Sequence, residues 1–207
     1  MATGERKILI LDRTEWHFGQ QIINILVLAV QYGEIAVPLL WRVMDRRGNS
    51  ETSMRIELIA KHVELFSCQS IAYLSADREF IGVEWLDYLQ EQNIDFRLRI
   101  KKNTVITHNN NLVNIQEHLK PMCQEQPLCL TRGEVYGQLV NLTAMTLNSG
   151  EYLLLIGNGH PKRFIQEYKE RWNIEELFAC LKSRGFNFED THITNPHKIS
   201  KMMAILT

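Results

Sequence analysis

The segment Tyr168-Lys-Glu-Arg-Trp-Asn-Ile-Glu-Glu-Leu-Phe-Ala-Cys-Leu-Lys182 contains neither glycine nor proline and is rich in Glu, Leu, Lys, Arg and Ala, a composition that predicts a helix. At about 100° per residue, Tyr168, Arg171, Glu175 and Lys182 fall at roughly 0°, −60°, −20° and −40°, in one narrow polar stripe. Ile174, Leu177 and Leu181 fall at roughly −120°, 180° and −140°, so an apolar stripe faces largely the other way. Glu176 lies about 100° further round than Glu175, and the periodicity therefore selects Glu175 as the glutamate of the stripe. A carboxylate flanked by a phenol and two cations suits a metal ion beside a phosphodiester. A solvated mixed-charge face is the plainer alternative.

Two further carboxylates change the balance. Lys7-Ile-Leu-Ile-Leu-Asp12 and Ser70-Ile-Ala-Tyr-Leu-Ser-Ala-Asp77 are apolar runs of the kind that form strands buried on both faces, each with an aspartate at its expected end. In α/β sheets, sites gather beyond the carboxyl ends of strands. If the two strands are parallel neighbours, about 4.8 Å apart, their aspartates converge. Asp12, Asp77 and Glu175 could then hold two divalent ions about 3.5–4 Å apart, which is the arrangement that clamps attacking and leaving oxygens in phosphoryl transfer. Hard oxygen donors select Mg²⁺ or Mn²⁺ over zinc. Capping or turn formation explains either aspartate alone but not the triple.

The blocks Leu11-Asp-Arg-Thr-Glu-Trp-His-Phe-Gly19, Ala76-Asp-Arg-Glu-Phe-Ile-Gly82 and Tyr168-x2-Arg171-x3-Glu175-x6-Lys182 resemble the three characteristic blocks of bacterial insertion-sequence transposases, DDE enzymes whose third block carries a Tyr-Arg-Glu-Lys motif. Leu181-Lys-Ser-Arg-Gly-Phe-Asn-Phe-Glu-Asp-Thr-His192 is similar to the continuation of that block, and the likeness runs from Ile8 to Leu206 with a poorly matching middle. The resemblance implies a ribonuclease-H-like core and cut-and-paste transposition with two Mg²⁺ ions, for which Mn²⁺ substitutes. It implies that Asp12 bridges both ions while Asp77 and Glu175 each complete one. It also implies that Tyr168, Arg171 and Lys182 contact DNA phosphates at the transposon end. It further implies that water attacks first, and that the freed 3′-hydroxyl attacks the opposite strand to form a hairpin, is released by a second water, and then attacks target DNA. The implied partners are double-stranded DNA and, in the complete enzyme, a second copy of the chain.

Element order agrees with an α/β, ribonuclease-H-like mixed five-stranded sheet flanked by helices. A strand at 7–13 is followed by an antiparallel pair, Ile22–Val30 and Ile35–Met44, and then by a helix from Thr52 or Ser53 to Phe66. The strand ending at Asp77, a helix across Gly82–Gln92 and a strand at 94–102 complete the first part. In that last strand Arg97, Arg99 and Lys101 alternate with Phe96, Leu98 and Ile100. This predicts a half-buried strand with a basic outer face, either a charged edge or a DNA contact. Residues 103–160 read as a mostly β insertion, with turns at Asn109-Asn-Asn111 and Asn148-Ser-Gly150 and a short helix at Val113–Leu119. The expected division is thus 1–102, 103–160 and 161–207, the last holding the catalytic helix and a C-terminal helix. Family members hold a flipped base with an aromatic from such an insertion. Here it offers only Tyr136 and Tyr152, and neither is assigned that task.

Composition sets outer bounds. The chain has 207 residues, 45% of them hydrophobic, and its four scattered cysteines fit a reduced, cytoplasmic protein without a zinc site. The longest apolar run, Ile22–Val30, is too short to span a membrane. A net charge of −1 is low for a DNA enzyme, so any phosphate contact must come from local clusters. Family members carry an N-terminal DNA-binding region, whereas Met1 lies just ahead of the Asp12 block and Thr207 falls inside an expected helix. The expectation is either a trimmed core or the product of an interrupted gene, which keeps its metal site but loses recognition of a specific transposon end. An inactive remnant that binds DNA or full-length transposase as a regulator, and a ribonuclease-H-like nuclease unrelated to transposition, are the competing readings.

Overall fold

The computed structural model describes residues 5–18, 21–44, 50–113 and 127–206, in a mixed α/β arrangement whose strand pairs are mostly antiparallel. In chain order the first elements are β1 (Lys7–Phe18), β2 (Gln21–Tyr32), β3 (Ile35–Met44), α1 (Thr52–Phe66), β4 (Ile71–Ala76), α2 (Val83–Glu91) and β5 (Phe96–Arg99). There follow β6 (Thr107–His108), β7 (Asn111–Leu112), β8 (Leu128–Val135), β9 (Gln138–Thr146), β10 (Tyr152–Gly157), α3 (Phe164–Lys169), α4 (Trp172–Lys182) and α5 (Pro196–Leu206). The helix expected at Val113–Leu119 falls outside the described residues, apart from Val113. The chain divides into two compact units, Met1–Ala72 with Glu170–Thr207, and Tyr73–Lys169.

The first unit rests on the antiparallel meander β1–β2–β3. Gly33 turns β2 into β3 with φ +59, a left-handed conformation that a side chain would strain. Pro38 sits at the register shift beside Ala29, where its missing N–H interrupts no regular ladder. Alternation along the hairpin places Ile10, Trp16, Ile23, Ile25, Val27 and Ala29 in one apolar cluster. Against it pack Ile174, Phe178 and Leu181 of α4, then Phe188, and Ile199 and Met203 of α5. Asp12 has the same parity as Ile10 and Trp16, so it lies on the face that α4 covers. One expectation is corrected here. β1 does not end at Asp12 but continues, paired residue by residue with β2, to Phe18. An aspartate is tolerated in mid-strand because its carboxylate finds donors, as described below.

The second unit centres on β5, which pairs in parallel with β4 and antiparallel with β10. The parallel pairing follows from the α2 crossover, as expected for strands joined through a helix. Beyond β10 the order continues β9, β8, β6, β7, each pair antiparallel. Asn109 and Asn110, at φ 51 and 62, close the β6–β7 turn, and Gly150, at φ 80, closes the β9–β10 hairpin, both where the sequence placed turns. β5 departs from expectation. It is flanked on both sides rather than lying at an edge, and Arg97, expected on an outer basic face, is only 4% exposed. Alternation alone cannot distinguish a solvated face from one that a helix covers.

His62 of α1 provides a test of this packing. Its Nε2 lies 3.1 Å from Ser70 Oγ, whereas Nδ1 is buried with no hydrogen-bond partner among the described residues. Burial lowers its pKa below 6.5 by penalising the charged ring. The unfolded chain takes up this proton first. Stability is therefore full above pH 6.5, declines as the pH drops below that value, and levels off beneath the lowered pKa. The urea midpoint at about pH 5.5 should lie below that at about pH 7.5, and His62→Gln should remove part of the difference. An undiminished difference in the variant would assign the loss to other groups.

Candidate active site

The polar stripe does not lie on one continuous helix. α3 ends at Lys169 and α4 begins at Trp172, with Glu170 and Arg171 in a turn. There the backbone makes tighter bonds, from Asn173 N to Glu170 O (3.2 Å) and from Ile174 N to Arg171 O (3.1 Å). No glycine or proline marks the break, which is why periodicity did not reveal it. The division into units falls at the same place. Tyr168 belongs with Asp77, whereas Arg171, Glu175 and Lys182 belong with Asp12.

In the first unit one guanidinium joins two of the three carboxylates. Arg171 Nη1 donates to Asp12 Oδ2 at 2.7 Å, across 159 residues of chain, and Nη2 donates to Glu175 Oε1 at 2.7 Å. The other Asp12 oxygen accepts the Arg13 backbone N–H at 2.8 Å. Arg171 and Asp12 are largely buried, with side chains 8% and 14% exposed, while Glu175 is 39% exposed. Two anions on one cation is a strong arrangement, since each bond is charge-assisted. The neighbouring Glu176 turns outward and pairs with Arg184 at 3.0 Å. The structure thus makes the same choice between the two glutamates that helical phase makes. Lys182, half-buried at the end of α4, forms no ion pair with a described residue. Trp172, 61% exposed, places an aromatic ring directly after Arg171, a feature the sequence reading passed over.

In the second unit Asp77 follows the last residue of β4, as expected. Its Oδ1 accepts a hydrogen bond from the Tyr168 phenol at 3.2 Å and lies 3.9 Å from Arg99 Nη1. Arg99 Nη2 donates to Glu151 Oε1 at 2.7 Å. Arg78, Arg99, Lys101 and Lys102, with Glu151, line a cavity of about 340 Å³. That cleft is rich in cations. The pairing of Arg99 with Asp77 was not foreseen; the signal available was the alternation that put Arg97 and Arg99 on one face.

Among the described residues, no three of His, Cys, Asp and Glu form a group that could hold a metal ion. The donor chemistry nevertheless fits a hard divalent cation. Asp12 and Glu175 offer carboxylate oxygens to a shared positive charge, and Asp77 offers its own to a phenol and a guanidinium. All are oxygen donors, as Mg²⁺ and Mn²⁺ require.

Comparison with known proteins adds an independent finding. Residues 3–207 match the sequence model of the family described as "Transposase DDE domain". No curated protein sequence matches the chain. Among solved structures, the catalytic domain of human endonuclease V overlaps with a TM-score of 0.43 at 11% identity, covering 82% of this chain and 75% of that one. Endonuclease V of Ciona intestinalis, in complex with inosine-containing DNA, gives a TM-score of 0.43 at 10% identity, with 85% and 87% covered. A second human endonuclease V structure gives 0.42 at 14% identity, covering 84% and 87%. Overlaps this slight carry nothing about activity.

Breaking the Arg171 clamp should be costly. Arg171→Ala leaves the largely buried Asp12 and its companion Glu175 without their shared cation, and about 3 kcal/mol of unfolding free energy should be lost in urea titrations. Arg184→Ala, which removes only the exposed Glu176 pair, should cost about 0.5 kcal/mol or less. Equal losses would mean that the clamp is no more than a surface pair.

Proposed function

This chain belongs to the family of transposase DDE domains, and on that premise we propose that it is the catalytic core of an insertion-sequence transposase of the Tyr-Arg-Glu-Lys group, which cuts and rejoins DNA at transposon ends. The observation that supports this most is the joining of Asp12 to Glu175 through Arg171. Three motif residues from opposite ends of the chain meet there. On this reading the core is ribonuclease-H-like, formed by residues 1–102 and 161–207, with 103–160 inserted before the catalytic helix.

Asp12, Asp77 and Glu175 are the residues that would hold two Mg²⁺ ions, with Mn²⁺ as a substitute. Bound there, such ions activate the attacking oxygen and stabilise charge on the phosphoryl group and the leaving oxygen. The protein's own groups do the rest. Arg171, relieved of the carboxylates, presents a planar fork that matches a phosphate in two-point contact. Lys182 supplies a compact point charge, and the Tyr168 phenol donates one hydrogen bond. Nicking, hairpin formation and strand transfer differ only in which oxygen attacks and which departs, so a single constellation serves all three. The proposed partners are the transposon ends and target DNA, with a homodimer as the assembly of the complete enzyme and the cytoplasm as its location. No described helix is long and apolar enough to cross a membrane.

Nicking of supercoiled plasmid in Mg²⁺ or Mn²⁺ tests the assignment. Asp12→Asn, Asp77→Asn and Glu175→Gln should each slow nicking by about a thousandfold, the scale of losing one member of a catalytic set. Glu176→Gln, confined to its surface pair, should stay within about twofold. Undiminished nicking by Asp77→Asn would reject the site. Plasmid binding without metal-dependent cleavage in the unaltered chain would instead favour an inactive regulator.

A further inference from the structure

Arg97 is a buried cation in the middle of β5 that no step above uses. Nε forms an ion pair with Glu167 Oε2, and Nη1 donates to the Phe96 carbonyl at 2.7 Å. The guanidinium carbon lies 5.0 Å from the centre of the Tyr73 ring and 4.7 Å from that of Phe164. Two glycines leave room for it. A Cβ at Gly159 would collide with Nη2 and Cζ of Arg97, and one at Gly157 would press on the Phe96 carbonyl and the Phe164 ring. Neither glycine has a positive φ, so space rather than backbone freedom is what these positions require. Desolvating a guanidinium is expensive, and an apolar residue would usually fill such a site at lower cost.

What this cation holds is α3. Phe164 and Glu167 both lie on that helix, and Tyr73 of β4 adds a hydrogen bond from its phenol to the Glu167 carbonyl at 3.1 Å. α3 has six residues, too few to be stable by itself, so its roll is set by what it packs against. The residue after Glu167 is Tyr168, whose phenol donates to Asp77. On the strand side, Arg97 stands level with Ser75 of β4, two residues before Asp77. One buried charge is therefore tied to both partners of the Tyr168–Asp77 contact, through the helix and through the ladder.

We propose that Arg97 is a positioning residue. Through Glu167 and Phe164 it fixes α3 so that the Tyr168 phenol meets the Asp77 carboxylate. The catalytic consequence rests on the transposase reading above; the positioning itself does not.

The test uses Arg97→Lys, which keeps the charge but loses the fork, and Glu167→Gln, which keeps the shape but loses the charge. With ¹³Cζ-labelled tyrosine the chain shows six resonances at most, and the one belonging to Tyr168 is identified by its loss in Tyr168→Phe. That resonance should shift in both variants. Plasmid-nicking kcat should fall about tenfold with KM within about twofold, and Arg97→Lys should slow Tyr168→Phe no further. A Tyr168 resonance unmoved in both variants overturns the proposal, as do kcat losses that multiply in the double variant. The spectrum needs no turnover. A chain that fails to nick plasmid counts against the proposed function, while the resonance still decides the role of Arg97.

Discussion

Two carboxylates held on one protein face repel each other, and in the first unit a single guanidinium resolves that repulsion. Arg171 is bonded to Asp12 and Glu175 at once. For this to happen, β1 must direct Asp12 to the side that α4 covers, and α4 must pack with Glu175 one turn beyond Arg171. The apolar cluster shared by the hairpin and α4 meets the second condition, with Ile174, Phe178 and Leu181 seated against Ile10, Trp16 and their neighbours. Packing decides the orientation of the helix, and the charges then have only one arrangement available. The mid-strand aspartate and the tight turn at Glu170–Arg171 both follow from that geometry.

The second unit handles its acidic residue by the same rule with different chemistry. Asp77 receives the Tyr168 phenol and lies near the Arg99 guanidinium, while Arg99 is shared with Glu151. In both units the carboxylate is held by groups that are themselves suited to grip phosphate. Donors of this kind can pass from a carboxylate to a phosphodiester without moving far, because either acceptor offers oxygens of like geometry.

Much of this was legible in the sequence, and what was not has definite causes. Helical phase puts Glu175 rather than Glu176 on the side of Arg171, and the pairings follow that phase, because it depends only on rise and twist. Turns at Asn109–Asn111 and Asn148–Gly150 were readable because left-handed backbone favours Asn and Gly. The far end of β1 was not: Lys7–Leu11 is uniformly apolar, and the polar stretch Asp12–Glu15 resembles a strand end although β2 pairs with it throughout. Nor was the interruption before Trp172, since Glu170 and Arg171 are both good helix formers and only tertiary packing separates α3 from α4. Arg97 misled for a related reason. An alternating strand has two faces, but whether a helix covers the second one is decided by residues some seventy positions away, at Phe164 and Glu167.

The overall charge of −1, unfavourable for a protein that grips DNA, loses force once the local pairings are considered. Charge matters to a polyanion within about a Debye length, roughly 8–10 Å at ordinary salt, and there the cations are concentrated: Arg78, Arg99, Lys101 and Lys102 around one cavity, Arg171 and Lys182 on or next to one helix. Two of these, Arg99 and Arg171, are paired with carboxylates proposed for the site. On the proposed reading, the carboxylates that would hold the divalent ions are the ones now paired with Arg171 and Arg99, so these guanidiniums would be available to phosphate. On that reading, grip on phosphate and readiness for chemistry would be coupled, because the same carboxylates would serve one role or the other.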